Sequence, residues 1–144
     1  MQFKRRQRKR WGMWIGLFIA LAVLGGLAWI RLAPSDVARW HVDPMVTVDQ
    51  DLAGGVRRRI PGDAATFERL HRIILETPRT EVLAGRPEDG RVTYVTRSKA
   101  FGFPDYATVQ LSDDALEIWS RLRFGQSDLG VNKARVDGWL KALR

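Results

Sequence analysis

The chain has 144 residues, which is enough for one domain and an appendage, and it contains no cysteine. Without cysteine, a disulfide framework, a thiolate nucleophile and a cysteine metal site are excluded. The formal charge of +8 suggests nucleic acid at first sight. However, seven of the 24 basic residues lie in the first 31 positions, and the other 17 balance the 16 acidic residues. We therefore expect no nucleic-acid partner.

The first predicted element is a transmembrane helix at residues 11–31. It follows a basic tail, residues 1–10, that contains the run KRRQRKR, and residues 11–30 carry no charge. A helix of this length spans about 30 Å, the thickness of the hydrocarbon core of a bilayer. Tryptophans near both ends of the segment favour the membrane interface.

A cleaved signal peptide is the alternative interpretation. Signal peptides have shorter apolar regions and end at a small-x-small cleavage site, whereas Ala33 lies between Arg31 and Pro34. We therefore expect an uncleaved anchor. The positive-inside rule places the tail in the cytoplasm and the rest of the chain in the periplasm, so the prediction is a single-pass protein of the bacterial inner membrane.

Residues 32–62 show little hydrophobic periodicity and contain three prolines and a Gly-Gly pair. This composition predicts a tether that becomes a long loop laid on the domain, with at most one short strand at MVTV, residues 45–48. The run RRR, residues 57–59, predicts a solvated turn.

Two amphipathic helices are predicted in residues 63–144. The first covers about residues 64–76, with Asp63 as its N-cap, and it ends before Pro78. The second covers about residues 133–143, with apolar residues at helical spacing.

Between the helices the sequence alternates with period two, which indicates strands. The predicted hairpins pair residues 80–84 with 91–97, and residues 105–111 with 115–124. We therefore predict an α+β fold with two layers, in which both helices cover one face of a four-stranded antiparallel sheet.

The last strand leads into the run SRLRFGQSDLGVN, residues 120–132. Alternation places Ser120 towards the helices and Arg121 and Arg123 on the opposite face, which we expect to be partly open. Arg97 and Trp119 are expected on this open face as well.

Turn and capping residues follow in the same run. Asn132 is a suitable N-cap, with Val131 and Val136 at the spacing of a hydrophobic staple, and Gly125 and Gly130 permit positive φ.

Two neighbouring guanidinium groups need an anion between them. We therefore predict a charge-assisted network of Arg121, Arg123 and Asp128, with Asp105 as a fourth member. Either this network stabilises the fold or it holds a ligand anion. The candidate binding residues are Arg121, Arg123, Ser127, Asp128, Asn132 and Asp105.

Catalytic motifs are weak in this sequence. GQSDLG resembles the nucleophile elbow, but its second glycine comes one residue late, and His41 and His71 both precede Ser127. No acidic ladder of a calcium loop and no HExxH motif is present. We assign no catalytic residue, no metal ligand and no cofactor, while an enzyme that uses Asp105 and Asp128 remains the alternative.

The run FGFPDYATVQL, followed by SRLRFGQSDLGVNKARVDGWLKAL, resembles the family called domain of unknown function 1499. The resemblance covers residues 92–143 and implies an envelope or plastid location, often with a membrane anchor, and no known activity. Leu122 replaces the usual serine, and the Cys-Pro…Asn-Cys segment of many members is absent. The matching positions are Phe103, Pro104, Asp105, Ser120, Arg121, Arg123, Gly125, Ser127, Asp128, Gly130, Asn132 and Arg135.

These features favour a membrane-anchored periplasmic module that binds a partner. The candidate partners are the membrane itself, another envelope protein and an anionic ligand. An envelope enzyme that combines Asp105 and Asp128 with Arg121 and Arg123 is one alternative, and an accessory subunit of a membrane complex is the other. The sequence leaves the oligomeric state open.

Overall fold

The structure is a computed structural model that describes residues 2–144, with side chains from residue 11 onward. Over this range it contains four α-helices and six β-strands. In chain order these are α1 (Gln2–Leu32), α2 (Val37–Trp40), β1 (Gln50–Leu52), β2 (Gly55–Pro61), α3 (Ala64–Leu75), β3 (Thr80–Arg86), β4 (Arg91–Arg97), β5 (Pro104–Ser112), β6 (Ala115–Leu122) and α4 (Val131–Leu143).

Helix α1 belongs to a unit of its own, which ends at Ala33, and a second unit contains Pro34–Arg144. The part of α1 from Trp11 to Leu32 is long and apolar enough to cross a membrane. The side chains of the basic tail, residues 1–10, lie outside the described residues.

The second unit is built on one antiparallel sheet with the strand order β1-β2-β6-β5-β4-β3. It is an α+β domain, as predicted, but the prediction of four strands was wrong. The two predicted hairpins are present as β3–β4 and β5–β6, and the sheet is extended by the hairpin β1–β2, which pairs with β6. Part of residues 32–62 therefore belongs to the sheet.

The predictions for MVTV and RRR were also wrong. Residues 45–48 form no strand, and the three arginines lie inside β2. Val56, Arg58 and Ile60 point towards the helices. Arg58 is buried there and pairs with Asp51 and with Asp137 of α4. Three consecutive arginines concealed the alternation of the strand.

Helices α3 and α4 pack on one face of the sheet, as predicted. Asp63 caps α3 by accepting a hydrogen bond from the amide of Thr66, which confirms its predicted role. Burial of each large aliphatic or aromatic side chain in this layer contributes about 1.5–3 kcal/mol. The wholly buried members of this core include Val56, Phe67, Leu70, Ile74, Val92, Tyr94, Val109, Leu116, Ile118 and Val136.

The opposite face is not open as predicted, because the segment 34–49 lies across it. We call this segment the strap. Its short helix α2 is capped by Asp36, and it buries Trp40 against Tyr106, with ring centroids 3.9 Å apart. Val95 and Leu83 complete this second apolar cluster.

Candidate functional site

The sheet separates the residues that the sequence placed in one site. Ser120 points towards the helices and donates a hydrogen bond to Asn132 of α4. Arg121, the next residue of β6, points the other way and donates to the carbonyl of Trp40 in the strap. The predicted alternation along β6 is correct, and its consequence is two separate polar clusters.

The first cluster, which we call the helix-side network, contains Asp105, Ser120, Asn132 and Arg135. The Asn132 Oδ1 atom accepts hydrogen bonds from Ser120 Oγ at 2.5 Å and from Arg135 Nη1 at 2.9 Å. Asn132 Nδ2 and Arg135 Nη2 both donate to Asp105 Oδ2 at 3.3 Å. Ser120 and Asn132 have no exposed surface. The network therefore fastens the first turn of α4 to β5 and β6.

The Asp105 carboxyl lies in an unusual electrostatic environment. Burial raises its pKa above the ordinary value, although Arg135 and Asn132 act in the opposite direction, and the nearby charge of Asp128 raises it further. Buried carboxyls with a raised pKa occur in acid–base catalysis. Here, however, the hydrogen bonds of the carboxyl go to Asn132 and Arg135, so it contributes to the packing of the helix.

The loop before α4 is held by Asp128, and this corrects the predicted cap. Asp128 accepts hydrogen bonds from the amides of Gly130 at 3.0 Å and Asn132 at 2.9 Å. The N-cap position belongs to Gly130, so Asn132 lies within the first turn of the helix. The predicted Val131–Val136 staple is also wrong, because the Val131 side chain is exposed.

The same loop exposes an apolar side chain. Gly125 and Gly130 have φ of 96° and 81°, as predicted, and Leu129 has φ of 52°, a region that leucine rarely adopts. The Ser127 hydroxyl accepts a hydrogen bond from the Leu129 amide. With these bonds the loop holds Leu129 in solvent, 94% exposed.

The second cluster lies between the sheet and the strap. Arg121 Nη2 donates to the Trp40 carbonyl at 2.8 Å, and Arg121 Nη1 donates to Thr108 Oγ1 at 3.3 Å. Its guanidinium group lies over the Trp119 ring at 3.9 Å from the centroid. Among the described residues, no carboxylate lies within ion-pair distance of Arg121. Burial, with the charge of Arg57 as a second cause, lowers its pKa to about 10.

Arg123 holds the beginning of the strap. Its Nη1 atom donates to the carbonyl of Pro34 and to the hydroxyl of Tyr106, both at 3.1 Å, and Ser35 shares a hydrogen bond with the same hydroxyl. The predicted network of Arg121, Arg123 and Asp128 is therefore wrong. In the part of the chain that the structure describes, Asp128 forms no ion pair with either arginine, and its carboxylate accepts hydrogen bonds from the amides of Gly130 and Asn132.

Several contacts of the strap were missed by sequence reasoning. Glu117 is buried on β6, where it accepts from the Val46 amide and pairs with Arg59. His41 shares a hydrogen bond with Thr93. The available signal was an acidic residue at a buried position of a regular strand, which needs a partner.

One end of the domain carries four exposed apolar side chains on its loops and strand and helix ends. We call it the proximal end, because the strap begins there. It consists of the β1–β2 turn, the α3–β3 connection 76–79, the loop 98–103, the loop 123–130 and the start of α4. In the loop 98–103, Phe101 packs against Phe103, which also contacts Phe124, with centroids 5.6 Å and 6.3 Å apart. The exposed apolar side chains of this end are Leu52, Phe101, Leu129 and Val131.

Reactive groups are not assembled in the described part of the chain. Over residues 11–144, no group of three His, Cys, Asp or Glu residues could hold a metal ion. His41 and His71 share hydrogen bonds with Thr93 and Tyr94, away from Ser127. As ligand-binding residues, the six candidates from the sequence stay a prediction.

Fold and contacts together define a small α+β domain that follows one long apolar helix and carries a strap across its sheet. The family model described as "Protein of unknown function (DUF1499)" matches residues 43–143. The chain belongs to this family, as the resemblance over residues 92–143 indicated. No curated protein matches the chain.

Proposed function

We propose that this chain is a single-pass protein of the bacterial inner membrane whose domain binds a partner in the periplasm. The observation that carries the proposal is the apolar part of α1, which follows a basic tail in sequence. A basic segment beside a membrane helix favours the cytoplasmic side, so the domain is exported.

The length of the apolar segment supports an anchor that is retained. The segment continues to Leu32, whereas the apolar region of a signal peptide has about 7–15 residues. The amide of Ala33 bonds to the carbonyl of Trp29, so the last helical turn is complete up to the end of α1 at Leu32.

The contacts of the candidate residues favour binding over catalysis. The alternative enzyme needs Asp105 and Asp128 beside Arg121 and Arg123, but those arginines bond to carbonyls of the strap. Asp105 belongs to the helix-side network on the opposite face of the sheet. We therefore assign the binding surface to the proximal end, where Ser127 and Asp128 position the exposed loop.

A topology experiment tests the proposal. A reporter that is active only outside the cytoplasm is fused after Arg144, and we expect activity that is lost when residues 11–30 are deleted. The mature protein should begin at or near Met1 and should resist alkaline extraction from membranes. A mature N-terminus at residue 34, or a reporter active only in the cytoplasm, would overturn the proposal.

Co-purification in mild detergent then separates the kinds of partner. A protein that elutes with the wild-type chain, and is lost after Leu129→Ser, would indicate a protein bound at the proximal end. A protein that is retained in that variant but lost when α1 is replaced by an unrelated membrane helix would indicate an accessory subunit bound through the helix.

A further inference from the structure

The loop 98–103 combines cationic and aromatic side chains at the proximal end of the domain. Together with Arg97, the last residue of β4, it reads RSKAFGF and contains no acidic residue. Phe101 is 50% exposed, and Lys99 is exposed with no ion pair among the described residues. Arg97 Nη1 donates to the carbonyl of Gly102, which keeps the loop compact beneath the aromatic side chain.

Chain connectivity keeps this end of the domain near a membrane that α1 crosses. Helix α1 ends at Leu32, and the carbonyl of Pro34 is already bound by Arg123 at the end of β6. Two residues of extended chain span at most about 7 Å. The strap then runs along the sheet to Asp43, whose partners Gln110 and Arg91 lie near the other end.

Charge differs between the two ends of the sheet. The connections at the far end, residues 62–63, 87–90 and 113–114, contain five carboxylates and no lysine or arginine. The connections at the proximal end, residues 53–54, 76–79, 98–103 and 123–130, contain two carboxylates and three lysines or arginines. Anionic lipid attracts cations near its surface by about 1 kcal/mol each and repels carboxylates. This charge distribution favours contact between the proximal end and an anionic membrane surface. The five carboxylates belong to Asp63, Glu88, Asp89, Asp113 and Asp114.

We propose that the segment 97–103 is a membrane-contact loop that binds anionic phospholipids. In this arrangement Phe101 lies among the headgroups and upper acyl chains, and Arg97 and Lys99 bind the phosphates. The inference rests on the proposed membrane anchor and deepens it, because it identifies the bilayer surface as the partner of this part of the proximal end.

The absence of native cysteine allows a direct test in the full-length chain. Ala100→Cys carries an environment-sensitive fluorophore beside Phe101, and Glu88→Cys carries the same fluorophore at the acidic far end. Both residues are exposed. The labelled chains are reconstituted in vesicles that contain phosphatidylcholine with or without phosphatidylglycerol and a lipid with a nitroxide near the headgroup.

We expect a blue shift of the emission at position 100 and at least about twofold stronger nitroxide quenching than at position 88. Addition of Phe101→Ser to the Ala100→Cys variant should reduce both effects. Lys99→Gln should reduce them most in vesicles that contain phosphatidylglycerol. Equal emission and quenching at the two positions, or no change with Phe101→Ser, would overturn the inference.

Flotation of the same vesicles distinguishes a failure of the proposed contact loop from a failure of the proposed membrane anchor. A chain that floats with the vesicles while the label at position 100 stays in water retains the anchor and contradicts the contact loop. A chain that does not float contradicts the proposed function itself.

Discussion

On one face of the sheet, two regular helices cover a core of aliphatic and aromatic side chains, whereas on the other face an irregular strap covers a largely polar surface. The backbone groups of the helices form hydrogen bonds within the helices, so the sheet residues that face the helices can be apolar. The strap has little regular structure outside α2, and its backbone groups need partners from the sheet.

The polar residues of the strap face supply these partners. The carbonyl of Trp40 accepts from Arg121 and Thr108, and the amide of Val46 donates to Glu117. A buried backbone group without a partner costs about 1–3 kcal/mol. Buried arginine, threonine and glutamate on a strand can therefore indicate an irregular covering segment as well as a reaction centre.

The largest expected effect tests whether the strap is part of the folded core. Trp40→Ala removes an indole ring that stacks on Tyr106 and is nearly buried. Trp139→Ala removes an equally buried ring from α4 on the other face. We expect both changes to lower the free energy of unfolding by about 3–5 kcal/mol. Chemical denaturation of the full chain in detergent, followed by circular dichroism, measures this loss.

The comparison of Trp40→Ala with Trp139→Ala shows whether the strap contributes to stability as much as α4 does. A loss of under about 1 kcal/mol for Trp40→Ala, beside a large loss for Trp139→Ala, would mean that the strap is a loosely attached tether. Trp40→Phe serves as a control because it keeps an aromatic ring over Tyr106, and it should recover a large part of the loss.

The next largest loss of stability is expected from changes at Asn132, and it tests the role of the helix-side network. Asn132→Ala leaves the buried Ser120 hydroxyl without its partner and removes one of the two residues that donate to the Asp105 carboxyl, so we expect a loss of about 2–3 kcal/mol. Asn132→Asp should be at least as harmful at neutral pH, because it places a second carboxylate beside Asp105. An N-cap would behave differently, since Asp and Asn are equivalent at that position.

The helix-covered face was largely predictable from the sequence. Phe67, Leu70 and Ile74 follow the helical period, and β4, β5 and β6 follow the period of a strand. These periods extend over a few consecutive residues, so they can be recognised in a short stretch of sequence. The hairpin β1–β2 was missed because Arg57, Arg58 and Arg59 replace the polar–apolar alternation with three like charges.

The site was harder to predict for a different reason. Alternation placed Arg121 and Ser120 on opposite faces, but the partner of Arg121 is a carbonyl 81 positions earlier in the chain. A backbone carbonyl has no sequence signal, so the prediction selected a carboxylate of the following loop, Asp128. The position of Asn132 in the helix was missed because Asp128, four residues earlier, satisfies the amide of Asn132 instead.

A smaller loss of stability is expected from a change in the loop 123–130, which connects β6 to α4. Asp128→Ala removes the acceptor of two amides at the start of α4, so the cost should be that of a lost helix cap, about 1 kcal/mol. Asp128→Asn should recover part of it. If Asp128 instead neutralised the two arginines, removal of its charge would cost about 3–5 kcal/mol, and Asn would not recover the loss. Denaturation of the three proteins at neutral pH decides between these outcomes.

The smallest effect concerns the pH dependence of the helix-side network. Because burial raises the pKa of Asp105 above its ordinary value, the folded domain binds more protons than the unfolded chain between those two pKa values. The contribution of Asp105 to the free energy of unfolding is therefore fully present below the ordinary carboxyl pKa and is lost as the pH rises through the folded pKa. We expect the difference between wild type and Asp105→Asn to decline over this window, and to change more than the difference for the exposed control Asp113→Asn. A difference that grows with pH would mean that the ion pair with Arg135 outweighs burial. Asp105 would then act on the helix face as a charge partner, a role that no carboxylate of the described residues has for Arg121 on the strap face.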